Sequence, residues 1–249
     1  EARRKESGQF ALFGGPAAES APKQKANAPE KAAVEPLWGR KERLVHEKEA
    51  LGFYITGHPL DAYAGEIELF ANTTTAQIGA LRNNAEVKVG AVINSIREKL
   101  TKKGDKYAIL MIEDREGVIE VTVWPETYKE CGDACTSEEP VFIIGRVEKG
   151  ESSNKLIARE IFRMTNIRER LARSVHYRID LGSSRPDQIP SFRKMLRRHA
   201  GEKRGYLHLV RDGEFEAVVQ LPDDCSVNPS LELAKELRGL FNYDVLRLH

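Results

Sequence analysis

Two hydrophobic periods divide this chain. Between Trp38 and Phe70 the apolar positions recur every three or four residues, the spacing of one helix face. Leu44, Val45, Leu51, Tyr54 and Ile55 fall near one such face, and Leu60, Tyr63, Ile67 and Phe70 form a second set. The stretch TGHPL separates them. Pro59 cannot donate an amide, so one helix ends before it, and its fixed φ suits the first turn of the next. His58, in that turn, reads as a local hydrogen-bonding residue.

From Glu86 the period changes to two. VKVGAVINSIREKL, KYAILMIED and GVIEVTVW read as strands, with DREG as the tight turn between the last two. PETYKECGDAC, opened by Pro125, reads as a short helix, and PVFIIGRVEK and NKLIAREIF as two further strands. Three strands, a helix and two strands match the OB-fold, a small Greek-key barrel. The competing arrangement is an open five-stranded sheet with one helix.

From Ser174 a second pattern begins. VHYRIDL is a strand and RPDQIPSFRKMLRRH a helix, with Ile189, Phe192 and Leu196 toward the sheet. YLHLVRDGEFEAVVQL is a hairpin turning at Asp212-Gly213. Leu207, Leu209, Phe215, Ala217 and Val219 alternate toward one face of it. A helix N-capped by Asn228 and a final strand YDVLRL complete a βαββαβ order. The expected fold class is therefore α+β and multidomain: a flexible segment over 1–36, a helical connector over 37–84, an OB-fold barrel over 85–164, and a C-terminal βαββαβ domain with an antiparallel sheet over 174–249.

Composition narrows this picture little. The 249 residues carry a formal net charge of +1, so local charge has to identify partners. No apolar run approaches the roughly 20 residues that cross a bilayer, so no membrane partner is expected. The three cysteines, Cys131, Cys135 and Cys225, form no disulfide framework and suggest a reducing cytoplasm. Cys131 and Cys135 can share a helix face, but no His or CxxC joins them, and no metal is expected. The chain opens at Glu1 without Met and reads as a fragment or a processed chain.

Three stretches can carry function. QFALF, residues 9–13, heads a segment rich in Ala, Pro, Lys and Glu that cannot bury enough apolar surface to order itself. Its aromatics either pack on a neighbouring domain or serve as bait for a partner. The second stretch is the loop between barrel strands one and two. Arg97, Lys99, Lys102, Lys103 and Lys106 crowd it, Tyr107 follows, and Arg115 lies at the next turn. OB barrels bind single strands by stacking bases on aromatics and holding phosphates with Lys and Arg. Aromatics are sparse here, and Trp124, at the end of strand three, also fits a core position. The third is the basic stretch Arg163–Arg204, with twelve Lys or Arg against four Asp or Glu. It fits a solvated face, a partner dock or auxiliary phosphate contacts. Motifs of catalysis are missing: no phosphate loop, no paired-carboxylate cluster, no HExxH and no nucleophile elbow.

EKEALGFYITGHPLDAY (47–63) closely resembles a signature of the bacterial replicative DNA polymerase III alpha subunit. TKKGDKYAILMIEDREGVIEVTVWPE and LPDDCSVNPSLELAKELRGLF resemble the OB domain and C-terminal domain of that family. The resemblance implies that Gln9, Leu12 and Phe13 match a Q-x-x-L/M-F motif that binds the sliding clamp (beta), with Phe10 in a variable slot. It implies that the barrel lies near single-stranded template DNA, and that residues 174–249 contact the tau subunit of the clamp loader. The polymerase carboxylates would lie upstream of Glu1. This piece would then be non-catalytic and without cofactor, part of a cytoplasmic, nucleoid-associated DNA-directed DNA polymerase (a nucleotidyltransferase). The alternatives are an RNA-binding OB module of a synthetase-like enzyme and a protein-interaction scaffold.

Overall fold

The computed structural model describes residues 39–249 apart from residues 53, 151 and 152, and apart from the side chains of Arg40 and Lys41. The proposed clamp-binding residues Gln9, Leu12 and Phe13 lie outside the described residues.

The connector opens with α1 (Arg40–Leu51). Gly52 ends it at φ +81, where only a residue without a Cβ sits without strain, and its amide donates to Lys48 O at 2.9 Å. The expected apolar face is therefore cut short. Leu44 is buried, but Tyr54 and Ile55 lie beyond the helix, and Leu51 and Ile55 are exposed. His58 does what its position suggested. Its Nδ1 accepts from Leu60 N at 3.1 Å, while Asp61 Oδ2 accepts from His58 N at 2.8 Å, a reciprocal cap on the turn Pro59–Tyr63. That turn runs into α2 (Ala64–Phe70).

Five strands then close a barrel in the order β1-β2-β3-β5-β4: β1 (Glu86–Leu100), β2 (Lys106–Glu113), β3 (Val118–Val123), β4 (Val141–Lys149) and β5 (Asn154–Arg163). The open five-stranded sheet is thereby excluded. Alternation fills the interior: Val87, Val89, Leu110, Ile112, Val121, Val123, Ile143 and Leu156 are fully buried there. Helix α3 (Pro125–Cys135) joins β3 to β4 and presses Cys131, Ala134 and Cys135 into the same core.

β4 is buried on both faces. Its outward Phe142 and Ile144 meet Phe162, Met164 and Ile167 in a second cluster, onto which Tyr63, Ile67 and Phe70 pack. The connector is thus welded to the barrel wall. Buried Glu66 of α2 is held there by Arg168 of α4 (Ile167–Leu171), at 2.7 Å from Nε and 2.5 Å from Nη2. At the other side of the connector, Asp114 accepts from Thr75 N and Oγ1 at 2.7 and 2.5 Å.

The C-terminal domain holds β6 (Ser174–Asp180), α5 (Gln188–Arg198), β7 (Ala200–Arg211), β8 (Phe215–Gln220), α6 (Leu231–Phe241) and β9 (Leu246–Leu248). The sheet order is β8-β7-β6-β9. Here the antiparallel expectation needs correction. β6 and β7 pair in parallel, Ser174 with Arg204 through Asp180 with Val210, and only the outer pairs are antiparallel. The reason is the crossover: β6 reaches its neighbour through α5, which returns the chain to the starting edge, so both strands run the same way.

Three smaller expectations also change. The N-cap of α6 is Ser230, whose Oγ accepts from Leu233 N at 3.1 Å, not Asn228. Ile189 is exposed, because buried Gln188 takes the inward position and donates Nε2 to Leu240 O at 2.7 Å. The inward face of α5 then runs Gln188, Phe192, Leu196. Finally, all of β8 is exposed, including Phe215 and Val219, because the helices cover Val175, Tyr177 and Ile179 of β6 and stop short of the edge.

Candidate nucleic-acid interface

Pairing of β1 with β2 assembles the predicted basic residues. Lys99 stands opposite Tyr107 and Arg97 opposite Ile109, so all four side chains leave the same side of the ladder. The connecting turn is tightly built. Gly104, at φ +86, donates to Thr101 O at 3.0 Å, and Thr101 Oγ1 accepts from the amides of Lys103 and Asp105. Lys102 and Lys103 project from this tip. Neither they nor Lys99 form a side-chain ion pair among the described residues.

Lys106 and Arg115 behave differently. Lys106 alternates to the opposite side of β2 from Tyr107 and reaches Glu98 at 3.4 Å. Glu98 also accepts a 2.5 Å hydrogen bond from the Tyr128 hydroxyl. This bond and then Lys106 hold the Glu98 carboxyl below its ordinary range, while Tyr128 is pushed up to about 12 by the same bond. Arg115 lies at the far end of the hairpin, an eight-residue strand away, or about 26 Å. It pairs with Asp61 of the connector. The structure therefore separates Arg115 from the other six.

Trp124 is the residue that the sequence left open. It is 46% exposed and lies over Tyr107, with ring centroids 5.5 Å apart and planes 26° from parallel. Alternation carried the signal: Ile119, Val121 and Val123 point inward, so the next residue after Val123 points out. Beside this stack the outer face continues through Ile109, Thr122 and Ile157. Its one central carboxylate, Glu120, is bracketed by Lys155 at 2.7 Å and Arg97 at 3.9 Å. The hydrogen bond to Glu120 raises the Lys155 pKa. The face thus offers flat apolar surface with cations at its margins, the combination that stacks bases and holds a backbone.

The basic residues of the C-terminal domain are differently placed. Arg193 and Arg197 both reach Asp224, at 3.4 and 2.6 Å. Arg198 pairs with Glu236, which also lies 3.2 Å from His199 Nε2, and Arg178 lies 3.1 Å from Glu216. The charge run of α5 is largely answered within its own domain.

The family model described as an OB-fold nucleic acid binding domain matches residues 87–163, the barrel from β1 to the end of β5. The chain is 29% identical over 245 residues to DNA polymerase III subunit alpha of Pseudomonas aeruginosa, covering 98% of this chain and 20% of that protein. The subunit of Mycobacterium tuberculosis is 29% identical over 209 residues, 82% of this chain and 17% of that protein. DNA polymerase III alpha subunits are homologues of this chain. The chain spans about a fifth of the length of the polymerase III alpha relatives it matches. Among solved structures, a replication protein A heterotrimer bound to ssDNA matches at 16% identity and TM-score 0.29, covering 36% of this chain and 81% of that one. Asparaginyl-tRNA synthetase from Pyrococcus horikoshii matches at 13% identity and TM-score 0.31, covering 36% of this chain and 22% of that one. No helix among the described residues is long and apolar enough to cross a membrane.

Proposed function

We propose that this chain is a non-catalytic accessory region of a replicative DNA polymerase III alpha subunit, and that its barrel grips single-stranded template DNA. The observation that carries this reading is the exposed Tyr107–Trp124 stack beside Lys99, which has no ion pair of its own among the described residues. Bases stack on the rings, while Arg97, Lys99, Lys102 and Lys103 hold phosphates. The homology to polymerase alpha subunits supports replication as the setting.

In this reading Gln9, Leu12 and Phe13 take the sliding clamp, and residues 174–249 meet the tau subunit of the clamp loader. Each grip is modest, and tethering multiplies them into processivity through effective concentration. The work is done in the bacterial cytoplasm, on the nucleoid.

Titration of the 249-residue chain with a labelled oligothymidylate at several salt concentrations tests the barrel assignment. Four phosphate contacts give log affinity against log salt a slope of about −3. A slope near zero, or a preference for RNA of the same sequence, contradicts it. Pull-down on clamp of a variant with Leu12→Ala and Phe13→Ala tests the peptide: capture must be lost while the melting of the folded part is unchanged.

A further inference from the structure

The strand registers contain a path beyond the aromatic stack. Arg97 pairs with Ile109, Ile109 with Thr122, Thr122 with Ile157, and Ile157 with Arg146. These cross-strand partners form one unbroken row over five strands, with an arginine at each end and Ile, Thr, Ile between. Four inter-strand steps make it about 19 Å long. Trp124 and Arg159 stand two residues further along the same parallel β3–β5 pair as Thr122 and Ile157, so the exposed indole lies beside this row.

The far end opens into a groove of about 450 Å³, lined by Arg146, Arg159, Ile157, Thr127, Asn84 and Glu86. A bulge between Ile144 and Gly145 shapes it. At Gly145 a Cβ would come within 2.4 Å of Ile157 O, so the two backbones meet here as only glycine permits. Arg146 is exposed and has no side-chain hydrogen bond or ion pair among the described residues. The ion pair of Arg159 is a distant one, 3.8 Å to its exposed neighbour Glu160, and pairs of that kind contribute little in water. Glu86, the groove's carboxylate, lies 3.6 Å from Lys88.

We propose that single-stranded DNA leaving the Tyr107–Trp124 stack crosses Ile157 and is held by a second backbone anchor, the guanidinium groups of Arg146 and Arg159. This rests on the barrel being a single-strand binder and adds where the strand goes. Guanidinium suits the task because its planar fork meets two phosphate oxygens at once. The anchor makes the site long. An oligonucleotide too short to cross Ile157 meets Arg159 beside the stack but does not engage both guanidinium groups.

The experiment is anisotropy of labelled oligothymidylates of about 4 and about 12 nucleotides, lengths that bracket OB-barrel sites, with the full chain across a salt series. The variant with Arg146→Ala and Arg159→Ala lowers the steepness of the salt dependence on the long oligonucleotide by about 1.4, two contacts at ~0.7 each. On the short one the loss is at most half as large, since only Arg159 lies next to the stack. Restoring charge with Arg146→Lys and Arg159→Lys recovers most of the slope, which a folding defect would not. An unchanged slope and affinity in the alanine variant on the long oligonucleotide overturns the second anchor and leaves the barrel assignment standing. If the unaltered chain binds neither length, both fall.

Discussion

The barrel and the C-terminal sheet are built from similar strands and similar numbers of basic residues, yet they present them in opposite ways. The barrel pairs every strand on both sides, and its sheet has no free edge. Its Lys99, Lys102, Lys103 and Arg146 are left without ion pairs among the described residues. The C-terminal sheet is open, with β8 bare along one edge and exposed on both faces, while Arg178, Arg193, Arg197 and Arg198 all meet carboxylates of their own domain. A count of Lys and Arg, 13 over residues 85–164 and 12 over residues 174–249, would not separate the two. What makes a surface ready for a polyanion is cationic charge that the fold has not already answered, next to flat apolar area.

The strongest way to break this comparison is to damage one core and watch the other. Leu110 and Leu237 are both fully buried, one in each core. Replacing either with Ala should cost about 2–5 kcal/mol. Leu237→Ala should lower the melting of the C-terminal domain with single-strand affinity retained, and Leu110→Ala should remove that affinity. Equal loss of DNA binding from both would mean that the C-terminal domain shares the site.

Next in size is the aromatic stack. Trp124→Ala should weaken oligothymidylate binding by about 1–3 kcal/mol, the range for one base stacked on a ring. Arg193→Ala with Arg197→Ala should leave binding unchanged, since those side chains already face Asp224. The reverse ranking would move the DNA contacts to α5.

A smaller effect is local to α6. Ser230→Ala removes the cap on Leu233 N and should cost about 1 kcal/mol of stability by denaturant titration. Asn228→Ala at the position that the sequence favoured should cost less.

The smallest effect is in acid. Asp224 is held below the ordinary carboxylate range by Arg197 first, and Glu216 by His208 and then Arg178. A carboxyl whose folded pKa is depressed contributes stability above its unfolded value, about 3.9 to 4.3, and loses it as pH falls through the folded value. Because these groups are exposed, the change is small. Thermal melts between about pH 5 and pH 3 should show a slight drop for the C-terminal domain. The drop should shrink when Arg193 and Arg197 are replaced with Ala.

Most of the architecture was legible because local pattern and local chemistry agreed. The period-two runs became β1 to β5 within a few residues of the expected ends, Pro125 opened α3, and Gly213 took the positive φ of its hairpin turn. Misreadings occurred where a neighbour distant in sequence decided. Ile189 lost its inward place because Leu240 O offers a partner to Gln188. Phe215 and Val219 have a perfect strand alternation but no helix above them. Arg115 joined the loop cluster only in sequence distance, and the length of β2 carries it to Asp61 instead.

By itself the chain's sequence determined which segments are helix or strand, which faces are apolar, and that a basic turn follows the first barrel strand. Those are short-range properties, fixed by φ, ψ and side-chain period. Tertiary structure alone decided that β6 and β7 run in parallel, that Trp124 stacks on Tyr107 in the open, and which arginines are answered by carboxylates. Each of these depends on the separation in space of residues far apart along the chain, and both Coulomb attraction and ring stacking act over a few ångströms of space, whatever the distance in sequence.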